Sequence, residues 1–139
     1  MARQYNKLPD LARQLIDDKN IAHFATLKTD GNPHITPVWI DRQEDTILVN
    51  TTRKRLKTRN VEKDKRVALS ITDQTNSTPT GQYTWVSIIG EVTEITDDNA
   101  ETHRDQLTQK YINQPEFPWK DPKDPPTIIK IKPIIIRHS

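Results

Sequence analysis

Five residues, "TDGNP" (29–33), separate a β-branched run at 21–28 from a second at 34–40, and five more, "DRQED" (41–45), separate that run from a third at 46–50. Gaps this short cannot carry the chain back to the same end of a sheet, because a parallel pair needs a crossover of a dozen or more residues. Strands joined in this way run antiparallel, and Asp30-Gly31 is hairpin-turn chemistry. Three further strands follow: "RVALSIT" (66–72); residues 83–95, long enough to bend, with Gly90 as the bend or bulge point; and "TIIKIKPIII" (127–136), where Lys130 and Lys132 guard an otherwise sticky edge. The chain reads as mainly β, an antiparallel barrel with peripheral helices, in one domain over residues 1–139.

Helical spacing is confined to three places. Leu8, Leu11, Ala12, Leu15 and Ile16 make one amphipathic stripe, with Pro9 in its first turn and Asn20 at its exit. Asp98 can cap another, on which Ala100, His103, Leu107 and Tyr111 share a face. A third, short helix is expected to start near Thr52 or Arg53. The segments "DQTNSTPTGQ" (73–82) and "NQPEFPWKDPKDPP" (113–126) lack periodicity and read as a polar loop and a proline-rich connection.

Several kinds of chemistry are excluded at once. With no cysteine there is no disulfide, thiolate nucleophile or cysteine-based metal site. The three glycines cannot write a dinucleotide fingerprint or a P-loop. His23, His34, His103 and His138 have no metal-ligand spacing, and Ser70, Ser77, Ser87 and Ser139 have no nucleophile-elbow context. No catalytic residue and no metal site is assigned, so any enzymatic chemistry falls to a cofactor. No apolar run reaches signal-peptide or membrane-span length, which makes a cytoplasmic protein with no membrane contact the expectation. Only 32% of residues are hydrophobic, and a chain so poor in apolar residues gains from a buried subunit interface; a homodimer is expected.

The strongest functional signal is electrostatic. Residues 53–66 hold eight basic and two acidic side chains, leaving the rest of the chain at −4. A field this local suits a compact anion better than a nucleic-acid stripe, and the segment has no aromatic residue on which bases could stack, so a nucleic-acid partner is not expected. A helix starting near Thr52 or Arg53 would point free amides, threonine hydroxyls and cationic side chains at one anion, with Arg53 and Lys57 four residues apart on one face. The alternative is a solvated surface with Glu62 and Asp64 as counter-charges. Pro37, which cannot donate to a ladder, places the second strand at an edge, where backbone groups of Thr36, Val38 and Trp39 can face a ligand.

Taken together, "ATLKTDGNPHITPVWI", "TILVNTTRKRLKTRNVEKDKRVALSI" and "YTWVSIIGEVTEI" resemble the split-barrel flavin and deazaflavin oxidoreductases related to pyridoxamine 5'-phosphate oxidase. The most specific element is Lys57, Arg59, Asn60 and Val61 before a charged turn. The resemblance implies an FMN-binding type of split barrel in which Lys57 reaches the cofactor phosphate and Arg55 adds contacts. It further implies that Asn50, Thr51 and Thr52 supply polar groups, that Thr36, Pro37, Val38 and Trp39 lie along the tricyclic ring, and that Trp85 walls the pocket if it is not plain core. The site is implied to lie between two subunits. Thr36 and Asp41 stand where the oxidase itself has basic residues, and "KPIIIRHS" lacks its C-terminal substrate segment, so the vitamin oxidase activity is not implied. Shorter members of the family imply coenzyme F-420 and hydride transfer to a small conjugated or heterocyclic substrate; an FMN-dependent oxidoreductase or a non-catalytic flavin carrier is the alternative.

Overall fold

Every strand pair in the computed structural model, which describes residues 3–4, 7–77 and 79–139, is antiparallel. The elements are β1 (Arg3–Gln4), α1 (Asp10–Asp17), β2 (Ala22–Leu27), β3 (Pro33–Val38), β4 (Asp41–Gln43), β5 (Thr46–Thr52), α2 (Leu56–Lys63), β6 (Arg66–Ser77), β7 (Tyr83–Thr96), α3 (Ala100–Ile112) and β8 (Pro126–His138). They hydrogen-bond in the order β3-β2-β6-β7-β8-β5-β4, with β1 beside β8. The two ends of that path, β3 and β4, are joined by only Trp39 and Ile40. Opposite edges tethered so closely force the sheet to curl into a barrel that stays open between them. This is the mainly β split barrel with peripheral helices.

Alternation fills the barrel. Phe24, Ile47, Leu69, Ile71, Ile88, Ile129, Ile131 and Ile136 are fully buried, and Ala12, Leu15 and Ile16 of α1 join them. Each large side chain so buried contributes about 1.5–3 kcal/mol relative to exposure. Asn20 finishes α1: its Nδ2 donates to the Leu15 carbonyl (3.0 Å), while its Oδ1 accepts from the Gln74 amide (3.1 Å). At Gly90 the register of β7 against β8 shifts, and an added Cβ would lie 2.6 Å from Ile131 and 2.9 Å from the Lys132 carbonyl. Pro133, opposite Gly90, sits at this bulge, where the missing N–H is tolerated.

Several expectations are corrected. The last strand is no edge: β8 lies between β7 and β5, and Lys130 pairs with Glu94 at 3.0 Å. "DRQED" is not turn alone, since Asp41–Gln43 form β4 and the reversal falls at Glu44, whose φ is 53°. β6 runs to Ser77 through an irregularity after Thr72, consuming half of the supposed loop; Thr78 in that loop lies outside the described residues. Pro9 is the N-cap of α1 rather than part of its first turn, and Asn99 in the left-handed region, not Asp98, precedes α3. Helix α2 starts at Leu56, later than Thr52 or Arg53, because the preceding turn is held by other contacts described below.

Candidate cofactor cleft

Helix α2 is short, and three of its residues fix it. The Thr58 hydroxyl donates to the Thr52 carbonyl (2.6 Å), Asn60 Nδ2 donates to the Thr26 hydroxyl (2.9 Å), and Val61 is fully buried. Asn60 and Val61 follow Lys57 by three and four residues, so Lys57 shares the anchored face of the helix, while Arg59 and Glu62 on the far side are exposed. Lys57 is half-buried and, among the described residues, has no ion-pair or hydrogen-bond partner. Burial, with the charge of Arg55 second, lowers its pKa from the ordinary lysine value.

Both side chains open onto a cavity of about 600 Å³, also lined by Pro37, Val38, Trp39, Asn50, Thr51 and Thr52. That volume suits a drug-sized or cofactor-sized molecule. Pro37 points outward and Val38 inward, yet both line it, because the cavity runs along the free edge of β3. Trp39 is held by a parallel stack on Tyr111 (5.2 Å between ring centres, 3° between planes) and an edge contact from Phe117. The Tyr111 hydroxyl accepts from the Ile40 amide and donates to the Asn20 carbonyl, and burial pushes its pKa up to about 12.

The anion cradle differs in detail from the one expected. Arg53 is not on the Lys57 face; its guanidinium pairs with Asp97 at 2.9 Å and lies 3.8 Å from Glu62. Asp124 fills the turn before α2, accepting from the Thr52 hydroxyl (2.6 Å) and the Lys54 amide (2.9 Å), while the Arg53 amide donates to the Pro125 carbonyl. The amides of Leu56 and Lys57 are left without an acceptor among the described residues. An anion here would therefore meet Arg55, Lys57 and these two amides.

Two expected residues are not brought to the cleft. Thr36 sits on the opposite face of β3 from Pro37, with its hydroxyl buried and unpartnered among the described residues. Trp85 lies on the outer face of β7, 39% exposed and away from this cavity. Conversely, Ile21, Arg104, Leu107 and Phe117 line the cleft unforeseen. Arg104 is only 7% exposed, lies 4.3 Å over the Phe117 ring and has no ion pair among the described residues; its Nε is sealed without an acceptor. Its signal was legible: a charged residue four positions from Ala100, on the buried face of α3. Phe117, within a proline-rich stretch, gave none.

A split barrel with an elongated cationic cleft along its open edge defines a class of flavin-related binding proteins. The family model described as pyridoxamine 5'-phosphate oxidase matches residues 8–138, and the chain belongs to that family, whose fold binds flavins and whose members include oxidoreductases. A comparison with curated proteins finds no match. Among solved structures, an F-420 reductase is 25% identical with a TM-score of 0.79, over 94% of this chain and 98% of that one. The conserved hypothetical protein Rv2991 from Mycobacterium tuberculosis is 22% identical (TM-score 0.72; 98% and 88% covered), and General Stress Protein 26 from Bacillus anthracis is 18% identical (TM-score 0.62; 90% and 88%). No helix among the described residues is long and apolar enough to cross a membrane.

Proposed function

We propose that the cleft holds coenzyme F-420 and that the protein is an oxidoreductase acting on a small conjugated or heterocyclic molecule. The observation that carries this reading is Lys57, which has no ion-pair partner among the described residues, beside Arg55 in a cleft that Val38, Trp39, Leu107 and Phe117 also line. The residues fit the group: Lys57, Arg55 and the free amides of Leu56 and Lys57 would hold a phosphate, and the edge of β3 would lie along a flat ring. Bound there, the deazaflavin would supply hydride transfer. The chain's own part is to bind, to orient the ring and to exclude water. The F-420 reductase, 25% identical over nearly its whole length, supports this choice of cofactor.

FMN is the second reading, favoured by family membership and served by the same phosphate contacts. We further infer a homodimer, because the outer face of β3, next to the cleft, continues into an apolar stripe.

The test is fluorescence titration of F-420 and FMN against wild type and Lys57→Ala. Loss of a charge-assisted contact of about 1.5–3 kcal/mol weakens binding by roughly tenfold or more. Unchanged affinity removes Lys57 from the site. Mixing the reduced cofactor complex with candidate acceptors then separates an enzyme, which turns over, from a carrier, which does not.

A further inference from the structure

Beside the cleft, three polar side chains from three elements form a chain whose hydrogen-bond directions are fixed. Asn50 Nδ2 lies 2.9 Å from the Ala100 carbonyl oxygen and 3.1 Å from His103 Nδ1. A carbonyl only accepts, so the amide nitrogen is the atom that must face it. Its two hydrogens then serve two acceptors, which requires His103 Nδ1 to be unprotonated. The ring proton is therefore on Nε2, which donates to Asp41 Oδ2 at 2.9 Å. Asp41 is anchored in turn, its Oδ1 accepting from the Arg42 amide at 2.8 Å. Burial pushes the Asp41 carboxyl up, but the hydrogen bonds from His103 and Arg42 outweigh it and hold its pKa below the ordinary carboxylate value.

One atom is left over. With the amide turned this way, Asn50 Oδ1 has no donor among the described residues, and Asn50 lines the cleft. The cleft thus presents an acceptor at this point, and the amide cannot rotate to present a donor without setting its oxygen against the Ala100 carbonyl and the Nδ1 lone pair.

We propose that Asp41 and His103 are positioning residues that lock Asn50 as a hydrogen-bond acceptor, and that this acceptor selects a bound ring carrying an N–H at its edge. This deepens the cofactor reading and rests on it. Oxidised FMN has a single ring N–H, on N3 of the imide, and the deazaflavin ring carries the same imide. Selection would then be against rings whose imide nitrogen is blocked, since an acceptor that a bound ring covers and leaves unpaired costs more than a bond made gains.

The probes are FMN and its N3-methyl analogue, titrated by fluorescence against the full-length protein. Wild type is expected to prefer FMN by about tenfold or more, the equivalent of one hydrogen bond to a held acceptor. His103→Leu frees the amide and is expected to shrink that preference below about threefold. His103→Gln is expected to restore it, because Gln Oε1 can accept from Asn50 while its Nε2 donates to Asp41. A steric effect of the methyl group, or a purely structural histidine, predicts no such rescue. Equal binding of both rings by wild type, or a preference that survives His103→Leu, overturns the selection while leaving the cofactor reading intact. Failure of both FMN rings and of F-420 to bind overturns both, and where F-420 alone binds, the position of the His103 ring proton decides the selection. A measurement in wild type needs no variant to fold: the long-range 1H–15N spectrum of His103 should show the proton on Nε2, and a proton on Nδ1 overturns the proposal.

Discussion

A lysine kept partly out of water with no counter-charge among the described residues is costly to the empty protein and useful to the filled one. Burial, then the neighbouring charge of Arg55, lowers the Lys57 pKa, so the folded chain releases this proton at a lower pH than the unfolded chain does. The sign is that stability rises with pH across the interval between the two values, while affinity for a phosphate, which needs the charged form, falls as pH rises through the lowered one. FMN titrated from neutral to alkaline pH should lose affinity before an ordinary lysine would deprotonate, and Lys57→Arg should move that loss upward because a guanidinium stays charged. Coincident curves would mean that another group titrates. Arg104 makes the same trade more sharply, its Nε sealed without an acceptor among the described residues. Arg104→Met is expected to stabilise the empty protein by about 1–3 kcal/mol, the cost of an unsatisfied buried donor, and to weaken binding of an anionic cofactor. Urea unfolding beside cofactor titration reads both; a less stable variant would mean that the stack on Phe117 outweighs desolvation.

Elements follow the same logic at longer range, and Gly90 shows where a single atom decides. A Cβ there would meet Ile131 at 2.6 Å and backbone at 2.9 Å, and the backbone atom cannot rotate away. Gly90→Ala should therefore cost about 1–3 kcal/mol by overpacking, visible as a lower urea midpoint with an unchanged slope. A neutral effect would mean that the bulge relaxes freely. Gly90 was legible in the sequence as a lone glycine in a long strand, as were the hairpin at Gly31 and the edge position of β3 from Pro37. What was misread among the strands shares one cause, the dependence of a strand's place on pairing rather than on its own residues. Lys130 and Lys132 look like edge protection, yet β8 is flanked on both sides, and Lys130 is accommodated by Glu94 on the next strand. Asp41–Gln43 has no apolar alternation and becomes a strand only because β5 offers it a ladder. The cleft followed suit: Lys57 and Arg55 were readable from local charge, whereas Asp124 and Asp97, distant in sequence, decide which amides and which arginine remain free for a ligand.

At the scale of the whole molecule, one feature of the surface is unlike the rest. Register places Ile35 of β3, Ala25 of β2, Ala68 of β6, Ile89 of β7 and Ile135 of β8 side by side, an apolar row across five strands on the outside of the barrel. Ile35 is 63% exposed and Ile89 46%, and Tyr83 and Trp85 extend the same face along β7. Scattered surface hydrophobics need no explanation, but a continuous row does. Pro37 shares the outward face of β3 with Ile35, so a body seated on the row would border the cleft mouth. A second copy of the chain fits best, since it brings the same apolar row and suits a protein with so few apolar residues. A charge placed in the middle of the row tests this: Ile89→Lys is solvent-tolerant in the monomer and would bury an unpaired ammonium in a dimer. Light scattering should give twice the chain mass for wild type and a shift toward the monomer for the variant, with FMN affinity falling in parallel if the partner completes the cleft. A wild-type monomer that binds FMN fully would place the whole site in one chain, and a dimeric Ile89→Lys would move the interface elsewhere.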